Sequence, residues 1–304
     1  MNVAVIINPI SGTGGRLDVA RRRAELASAL VHERGIAAEV YLTERPGHAR
    51  ELAAAAVARG VKTLVAWGGD GTVSDIASVV AFRDCALGII PVGSGNGLAR
   101  ELGIPLRPEA AFAVALDGGE RVIDCGEIDG RLFFNIAGFG LDARVSHQFA
   151  AGGLVRRGFR RYIEITAREL FAFEPDDHTI VADNTTLREK TIVVAVANGR
   201  QYGNGALIAP AARLDDGKLD VVVIAARHPV VALLQTPMIF AGQVARLPGV
   251  TTVKTTSVEI TSGRMVLYHL DGEPYVGPAL VKARVHPRAL RVRVPHEEHT
   301  SLWS

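Results

Sequence analysis

The residue types best suited to chemistry in this chain gather at three glycine turns, each directly after an apolar run. They are Asn8-Pro9-Ile10-Ser11-Gly12-Thr13-Gly14-Gly15, Gly68-Gly69-Asp70-Gly71-Thr72-Val73-Ser74-Asp75 and Pro91-Val92-Gly93-Ser94-Gly95-Asn96-Gly97. Glycine lets the backbone approach an anion closely, and a helix starting just after it adds N–H donors and a positive dipole end. Turns of this kind hold phosphate. One such turn is a weak signal, but three at strand ends of a parallel α/β sheet share one edge and converge on one crevice. Asp70, inside the second turn, adds a carboxylate, and glycine turns with a carboxylate and Mg²⁺ can supply the charge neutralisation and positioning that phosphoryl transfer needs. The blander reading of Asp70 is a helix cap. The P-loop pattern G-x-x-x-x-G-K-[ST] does not occur, and none of the three turns matches G-x-G-x-x-G. Gly138-Phe139-Gly140-Leu141-Asp142-Ala143 does fit G-x-G-x-x-A, but outside the region of βα rhythm.

The elements that must position these turns follow from periodicity. Residues 1–122 alternate: strand Val3 to Ile7, helix Leu17 to Arg34, strand Ala38 to Leu42, helix His48 to Arg59, strand Thr63 to Trp67, helix Val73 to Phe82 and strand Leu87 to Pro91. Helical segments follow around Leu98 and from Glu109 to Asp117. Repeated βα units with short connections imply a parallel sheet covered by helices. From Arg121 onward the pattern becomes strand-like, with runs at Val122–Ile128, Arg131–Ile136, His178–Ala182, Thr191–Asn198, Leu219–Ala225, Ser257–Thr261, Met265–Leu270, Ala279–Val285 and Leu290–Val294. Asp129-Gly130, Asp216-Gly217, Ser262-Gly263 and Asp271-Gly272 punctuate it. This implies a mainly antiparallel second domain with a helical insertion near Tyr162 to Phe173. The expected division is 1–122, 123–295 and a tail, 296–304, that is free to return to the first domain.

Composition narrows the class. The chain has 304 residues, 48% hydrophobic and 22% charged, with 32 glycines, so it folds around a sizeable core. A net charge of +2 does not argue for nucleic acid. Its two basic clusters are Arg21-Arg22-Arg23, read as a solvated helix face, and Arg156-Arg157-Gly158-Phe159-Arg160-Arg161. The second, with Phe159 and Tyr162 interleaved, is either another solvated face or a rim for anionic lipid head groups. Cys85 and Cys125 lack any C-x-x-C spacing and read as free thiols of a reducing compartment. Met1 to Ile7 has no basic n-region or cleavage pattern, so it reads as a first strand rather than a signal peptide. Pro229 to Ala245 carries no charge but includes Gln235, Pro237, Gly242 and Gln243. It falls short of a membrane span and is expected to pack as an amphipathic segment, with membrane docking left open.

Gly68-Gly69-Asp70-Gly71-Thr72, Gly93-Ser94-Gly95-Asn96, the Asn8-Pro9 start and Leu270-Asp271-Gly272-Glu273-Pro274 together resemble the diacylglycerol kinase catalytic domain family, which includes bacterial lipid kinases and sphingosine and ceramide kinases. The likeness extends through Asn135–Val145 and Asn198–Asp220, and so covers nearly the whole chain. It implies a phosphofructokinase-like α/β first domain, a β-sandwich-like second domain, and ATP held in the cleft between them. On that resemblance Asn8, Pro9, Ser11 and Gly12, with Gly69, Asp70, Gly71, Thr72, Val73, Ser74 and Asp75, cradle phosphates. Thr43, Ser94, Gly95 and Asn96 lie at the nucleotide. Asp70 partners Mg²⁺ or the waters linking it to phosphate.

Asp271-Gly272-Glu273 on its own reads as a hairpin turn. The resemblance makes Glu273 the base that takes the proton of the lipid hydroxyl. It places Asp142 near the lipid head group, where a plain turn residue is the other reading. It also implies a structural Mg²⁺ on Asp216, with Arg213 and Lys218 lending main-chain oxygens, against a bare Asp-Gly turn. Gly97 departs from the acidic residue usual in bacterial members and brings the third turn closer to sphingosine and ceramide kinases. The implied protein is therefore a cytoplasmic, ATP- and Mg²⁺-dependent kinase of a diacylglycerol-like or sphingoid lipid presented at a membrane surface. Peripheral membrane contact and a homodimer are compatible with it. A kinase of a soluble molecule, NAD kinase-like, and a non-catalytic nucleotide- or lipid-binding protein remain alternatives.

Overall fold

The computed structural model describes residues 2–12, 17–151 and 159–296. Contacts divide the chain into two units: residues up to Ile123 together with those from Arg288 onward, and Asp124–Pro287. Thr13, Gly14 and Gly15 of the first turn, Arg156, Arg157 and Gly158 of the second basic cluster, and residues 297–304 of the tail lie outside the described residues.

The first unit runs β1 (Val3–Ile7), α1 (Leu17–Glu33), β2 (Ala38–Leu42), α2 (His48–Ala58), β3 (Thr63–Gly68), α3 (Asp70–Val80), β4 (Ala86–Pro91), α4 (Gly97–Glu101) and α5 (Pro108–Asp117). Its strands are parallel in the order β2-β1-β3-β4, with Val5 paired to Val40 on one side and Val65 on the other. A central parallel strand is covered on both faces, which is why β1 is an unbroken β-branched and apolar run with every residue fully buried. Beneath the sheet Trp67 meets Phe112 of α5 at 6.0 Å between ring centroids. Gly88 on β4 lets α5 come close, since a Cβ there would stand 2.6 Å from the Ala115 Cβ. Because parallel strands all point one way, the ends of β1, β3 and β4 lie on one edge.

The chain then passes through β5 (Gly119–Ile128) into the second unit. There follow β6 (Arg131–Phe133), β7 (Ile136–Gly140), α6 (Leu141–Ala151), α7 (Phe159–Ala172), β8 (Asp176–Ala182), β9 (Thr185–Ala197), β10 (Leu219–Ala225), α8 (Pro229–Phe240), β11 (Val250–Thr255), β12 (Ser257–Ser262), β13 (Val266–Leu270), β14 (Glu273–Gly277) and β15 (Leu280–Val294). All pairings within it are antiparallel: β14-β13-β7-β9-β8-β12-β15 form one path, and β10 joins β9 to β11. The alternating inward residues, including Phe139, Val194, Val196, Val221, Ile260 and Tyr268, make its core. The arrangement is the mainly antiparallel domain that the strand runs implied, in the sandwich-like form that the resemblance implied.

Several expectations need correction. The two last strands expected, Ala279–Val285 and Leu290–Val294, are one strand, β15, with Arg288 at φ 54° inside it. Its end pairs parallel with β4, Arg291 to Ala86 and Val292 to Leu87, so residues from 288 belong with the first unit rather than the second. His296, where the expected tail begins, donates from Nε2 to the Asp117 carbonyl of that same unit at 2.9 Å. Gly138 to Ala143 is no dinucleotide turn: Gly138 and Gly140 lie on antiparallel β7. Pro229 to Ala245 packs along one side, as expected: Ala232, Met238 and Ile239 lie against buried clusters of the second unit and Val244 is fully buried, while Leu234 on the other side of α8 is 75% exposed. No helix among the described residues is long and apolar enough to cross a membrane.

Candidate active site

In the first unit the three turns meet and are tied pairwise. Asn8 leaves β1 with its N–H donated to the Trp67 carbonyl, 2.9 Å. Its side-chain Nδ2 donates to Thr72 Oγ1 at 2.9 Å, joining the first turn to the second. Gly12, at φ 72°, sits where any Cβ would collide with the Val92 carbonyl at 2.1 Å, joining the first to the third. A Cβ on Gly93 would be 2.8 Å from the Gly69 Cα, and one on Gly69 would be 3.0 Å from Ser11 Oγ. Glycine is required at 69 and 93 because two backbones pass in contact.

The central tie is Asp70. Its Oδ1 accepts the Gly97 N–H at 2.7 Å and its Oδ2 accepts the Asn96 N–H at 2.9 Å. Asp70 thus caps a helix, but α4, twenty-six residues on, rather than its own α3. Asn96, left-handed at φ 53°, closes the third turn by exchanging side-chain bonds with Gly93 at 2.8 and 2.9 Å. Burial pushes the Asp70 carboxyl up from its ordinary range, and the Gly97 and Asn96 N–H groups pull against that. Helix α3 itself begins at Gly69 with no side-chain cap, so its first-turn N–H groups face an end built only of backbone.

The other expected residues divide. Thr43 is buried at the end of β2 with its N–H on the Ile7 carbonyl. Val73 is core on α3, Ser94 is exposed, and the Ser74 carbonyl accepts from Ser78. Asp75 faces Arg50 at 3.4 Å, while burial raises its carboxyl. Gly71 and Gly95 lie within the turns, and the Gly95 carbonyl receives Arg100 Nε at 3.1 Å. Arg23, read as solvated with Arg21 and Arg22, instead aims Nη1 at the Asn8 carbonyl, 3.2 Å away. The signal existed: Ala20, Arg23, Ala27 and Val31 recur on one helical face, and the other three are buried.

In the second unit Asp271-Gly272 is a two-residue hairpin turn between β13 and β14, with φ of 49° and 91°. The Asp271 carboxylate accepts three successive N–H groups, from Phe134 at 2.8 Å, Asn135 at 2.9 Å and Ile136 at 3.0 Å. Sequence reading missed this grip because its partners lie well over a hundred residues away. Glu273 follows, exposed, as the first residue of β14.

Asp142 lies buried at the start of α6. Tyr202 donates its hydroxyl to Oδ2 at 2.7 Å, the Ala143 N–H reaches Oδ1 at 2.8 Å, and His269 Nε2 stands 3.4 Å from Oδ2. The Gly272 N–H donates to His269 Nδ1 at 3.2 Å, which leaves Nε2 to carry the proton toward Asp142. Gly138 makes the space, for a Cβ there would be 1.9 Å from Asp142 Oδ2 and 2.5 Å from His269 Nε2. Burial and the Asp142 charge hold the Tyr202 phenol well above its usual range, so it stays a donor. Tyr162, expected on a basic rim, packs on Phe149 at 5.9 Å between ring centroids.

Asp216 is already engaged by protein groups. Its Oδ1 accepts the Lys218 N–H at 3.1 Å, and its Oδ2 accepts Lys254 Nζ at 2.9 Å. The same ammonium bonds Asp220 Oδ2 at 2.9 Å and the Ala211 carbonyl at 3.3 Å. Arg213 turns its side chain to Asp215, 3.7 Å away. A lysine ammonium against this carboxylate does not fit a resident divalent cation. Among the described residues no group of three or more His, Cys, Asp or Glu side chains is placed to hold one.

A parallel α/β unit with converging glycine turns, joined to an antiparallel unit, defines the class, and known proteins specify it. Residues 2–128 match the family model for the diacylglycerol kinase catalytic domain, and residues 135–294 match that for the YegS C-terminal NAD kinase beta sandwich-like domain. A protein of Pseudomonas aeruginosa named "Probable lipid kinase YegS-like" is 35% identical over 279 residues, covering 88% of each chain. A protein of Mycobacterium tuberculosis named "Diacylglycerol kinase" is 33% identical over 300 residues, covering 96% of this chain and 95% of its own. Among solved structures, a diacylglycerol kinase from Bacillus anthracis superposes with TM-score 0.72 at 19% identity, covering 96% of both chains. An NAD kinase from Archaeoglobus fulgidus in complex with ATP reaches TM-score 0.54 at 13% identity, covering 99% of this chain and 97% of its own. The chain belongs to the diacylglycerol kinase family of lipid kinases, in the form with a YegS-type second domain.

Proposed function

We propose that this protein transfers the γ-phosphate of ATP, with Mg²⁺, to a hydroxyl of a diacylglycerol-like or sphingoid lipid. The observation that carries the reading is the convergence of three glycine turns on one sheet edge, locked by Asp70 against Asn96 and Gly97. Phosphoryl transfer asks mainly for positioning and charge neutralisation, and a rigid array of backbone N–H groups beside a helix start supplies both. Residues Asn8 to Gly12 and Gly69 to Asp75 cradle the phosphates, with Pro9 shaping the first turn, while Thr43, Ser94, Gly95 and Asn96 border the nucleotide. Arg23, aimed at the first turn, adds positive charge at that edge.

Mg²⁺ brought in with the nucleotide would supply neutralisation of phosphate charge. Asp70 would hold the waters of that ion, since a carboxylate accepting two N–H bonds keeps further lone pairs. Glu273, exposed at the start of its strand, takes the acceptor hydroxyl's proton as the phosphoryl group arrives. Asp142, held by Tyr202, His269 and its own helix, orients the turn behind Glu273 through the His269 to Gly272 bond; contact with the lipid head group is its further role. The uncharged helix α8, which leaves Val230, Val231, Leu233, Leu234 and Phe240 exposed, favours a lipid over a soluble acceptor, because an apolar helix face suits the interfacial region of a bilayer.

The deciding measurement is transfer of labelled phosphate from ATP and Mg²⁺ to vesicles carrying diacylglycerol, monoacylglycerol, ceramide or sphingosine, with NAD as the soluble control. Labelled lipid identifies the acceptor. Labelled NAD, or no labelled product at saturating ATP, sinks the reading.

A further inference from the structure

The loop from Ala211 to Lys218 precedes β10 and is held from two directions. On one side the Asp124 N–H donates to the Leu214 carbonyl at 2.6 Å, and the Gly217 N–H donates to Asp124 Oδ2 at 2.7 Å. On the other stands Lys254. The antiparallel register of β10 and β11 sets Lys254 directly opposite Asp220, so the ammonium arrives at this spot by strand pairing rather than by chance of rotamer. An ammonium has three donors. Lys254 spends them on three oxygens: Asp216 Oδ2, Asp220 Oδ2 and the Ala211 carbonyl. Asp220 is buried, its side chain 2% exposed, and a buried carboxylate needs a partner of opposite charge in contact.

A divalent cation at Asp216 would do the same work: bind one carboxylate and nearby carbonyls and tie the loop to the sheet. It would have to displace the ammonium from Asp216, leaving the buried Asp220 without its close counter-ion or placing two cations side by side. We propose that in this protein Lys254 is a built-in replacement for a structural metal, so that the Asp216 loop is held by an internal ammonium and the fold is independent of Mg²⁺. The inference stands on the second unit alone and does not depend on which acceptor is phosphorylated, because its test reads stability without nucleotide or lipid.

The test is thermal unfolding of the full chain, stripped with EDTA, then measured with and without millimolar Mg²⁺ and no nucleotide. The wild-type Tm is expected to change by less than about 1 °C, since a cation with no native site shifts nothing. Lys254→Met, which keeps the length and apolar stem, is expected to lower Tm by about 5 °C in EDTA. Part of that loss should return on adding Mg²⁺, and the return should vanish in the Lys254→Met/Asp216→Asn double variant. A wild-type Tm that rises by several degrees with Mg²⁺ and loses that rise in Asp216→Asn overturns the proposal. So does a Lys254→Met chain as stable in EDTA as the wild type. The wild-type comparison needs no variant to fold.

Discussion

Asp70 in the first unit and Asp271 in the second act alike, each gripping backbone N–H groups of a distant loop, yet they serve different ends. Asp70 binds two N–H groups at the start of α4, within a stretch where every neighbour belongs to a glycine turn. Asp271 binds three N–H groups leading into β7, and the residue suited to chemistry, Glu273, stands two positions further along and exposed. On the proposed function the first unit therefore merges scaffold and chemistry in one carboxylate. The second separates them on the same reading, with Asp271 as anchor and the exposed Glu273 as the proposed base. A merged group cannot be changed without moving the cradle, whereas a separated pair can be dissected.

That contrast can be broken by substitution, beginning with the largest effect on stability. Asp271→Ala strips three backbone donors of a charged acceptor and is expected to cost about 3–5 kcal/mol in urea unfolding. A loss below about 1 kcal/mol would show that the N–H groups find other partners and the anchor is dispensable. Asp70→Ala removes two such bonds and should cost about 2–4 kcal/mol while also reducing phosphate transfer by at least about 10²-fold. If stability falls but turnover is kept, Asp70 is scaffold only and the merged description fails.

Gly138→Ala drives a methyl group into Asp142 and His269 and should cost about 1–3 kcal/mol, with rearranged contacts at the Glu273 turn visible as a lower kcat. An unchanged protein would mean that Asp142 swings aside freely. Glu273→Gln should leave stability within about 0.5 kcal/mol and lower kcat by about 10²–10⁴-fold, the separated case in its plainest form. Near wild-type turnover of a folded variant would remove the base assignment.

The smallest perturbation uses the thiols as reporters, one in each unit. Cys85 and Cys125 are free and buried, and burial pushes them up to about 11 and about 12 respectively. At pH 8 almost no thiolate forms, so neither should react with a disulfide reagent in the native protein. In rising urea the Asp271→Ala chain should expose Cys125 before Cys85. Simultaneous labelling would show that the anchor of the second unit stabilises both.

Much of the first unit was legible because its determinants are local. Five apolar residues with no break, then Asn8-Pro9, can form little but a buried parallel strand and its turn, and glycines at 12, 69 and 93 announce close backbone approach before any partner is known. Both thiols were readable as free from their spacing. The second unit was legible as a sequence of strands but not in its particulars. Arg288 hides inside one strand that reads as two, and α8 is an apolar helix packed on one side only, through Ala232, Met238 and Ile239, because hydrophobicity along a segment does not say which surface the rest of the chain presents to it.

What the sequence determined by itself were the glycine turns, the βα alternation that puts them on one edge, and the hairpin that carries Glu273, all consequences of residue type within a few positions. Tertiary structure alone decided that Asp70 caps α4 rather than its own helix, that Asp271 binds residues 134–136, and that Lys254 meets Asp216 and Asp220. Each of these depends on hydrogen-bond or charge partners brought together across long stretches of chain. Such partners are fixed by strand register and packing, which no local pattern of residues encodes.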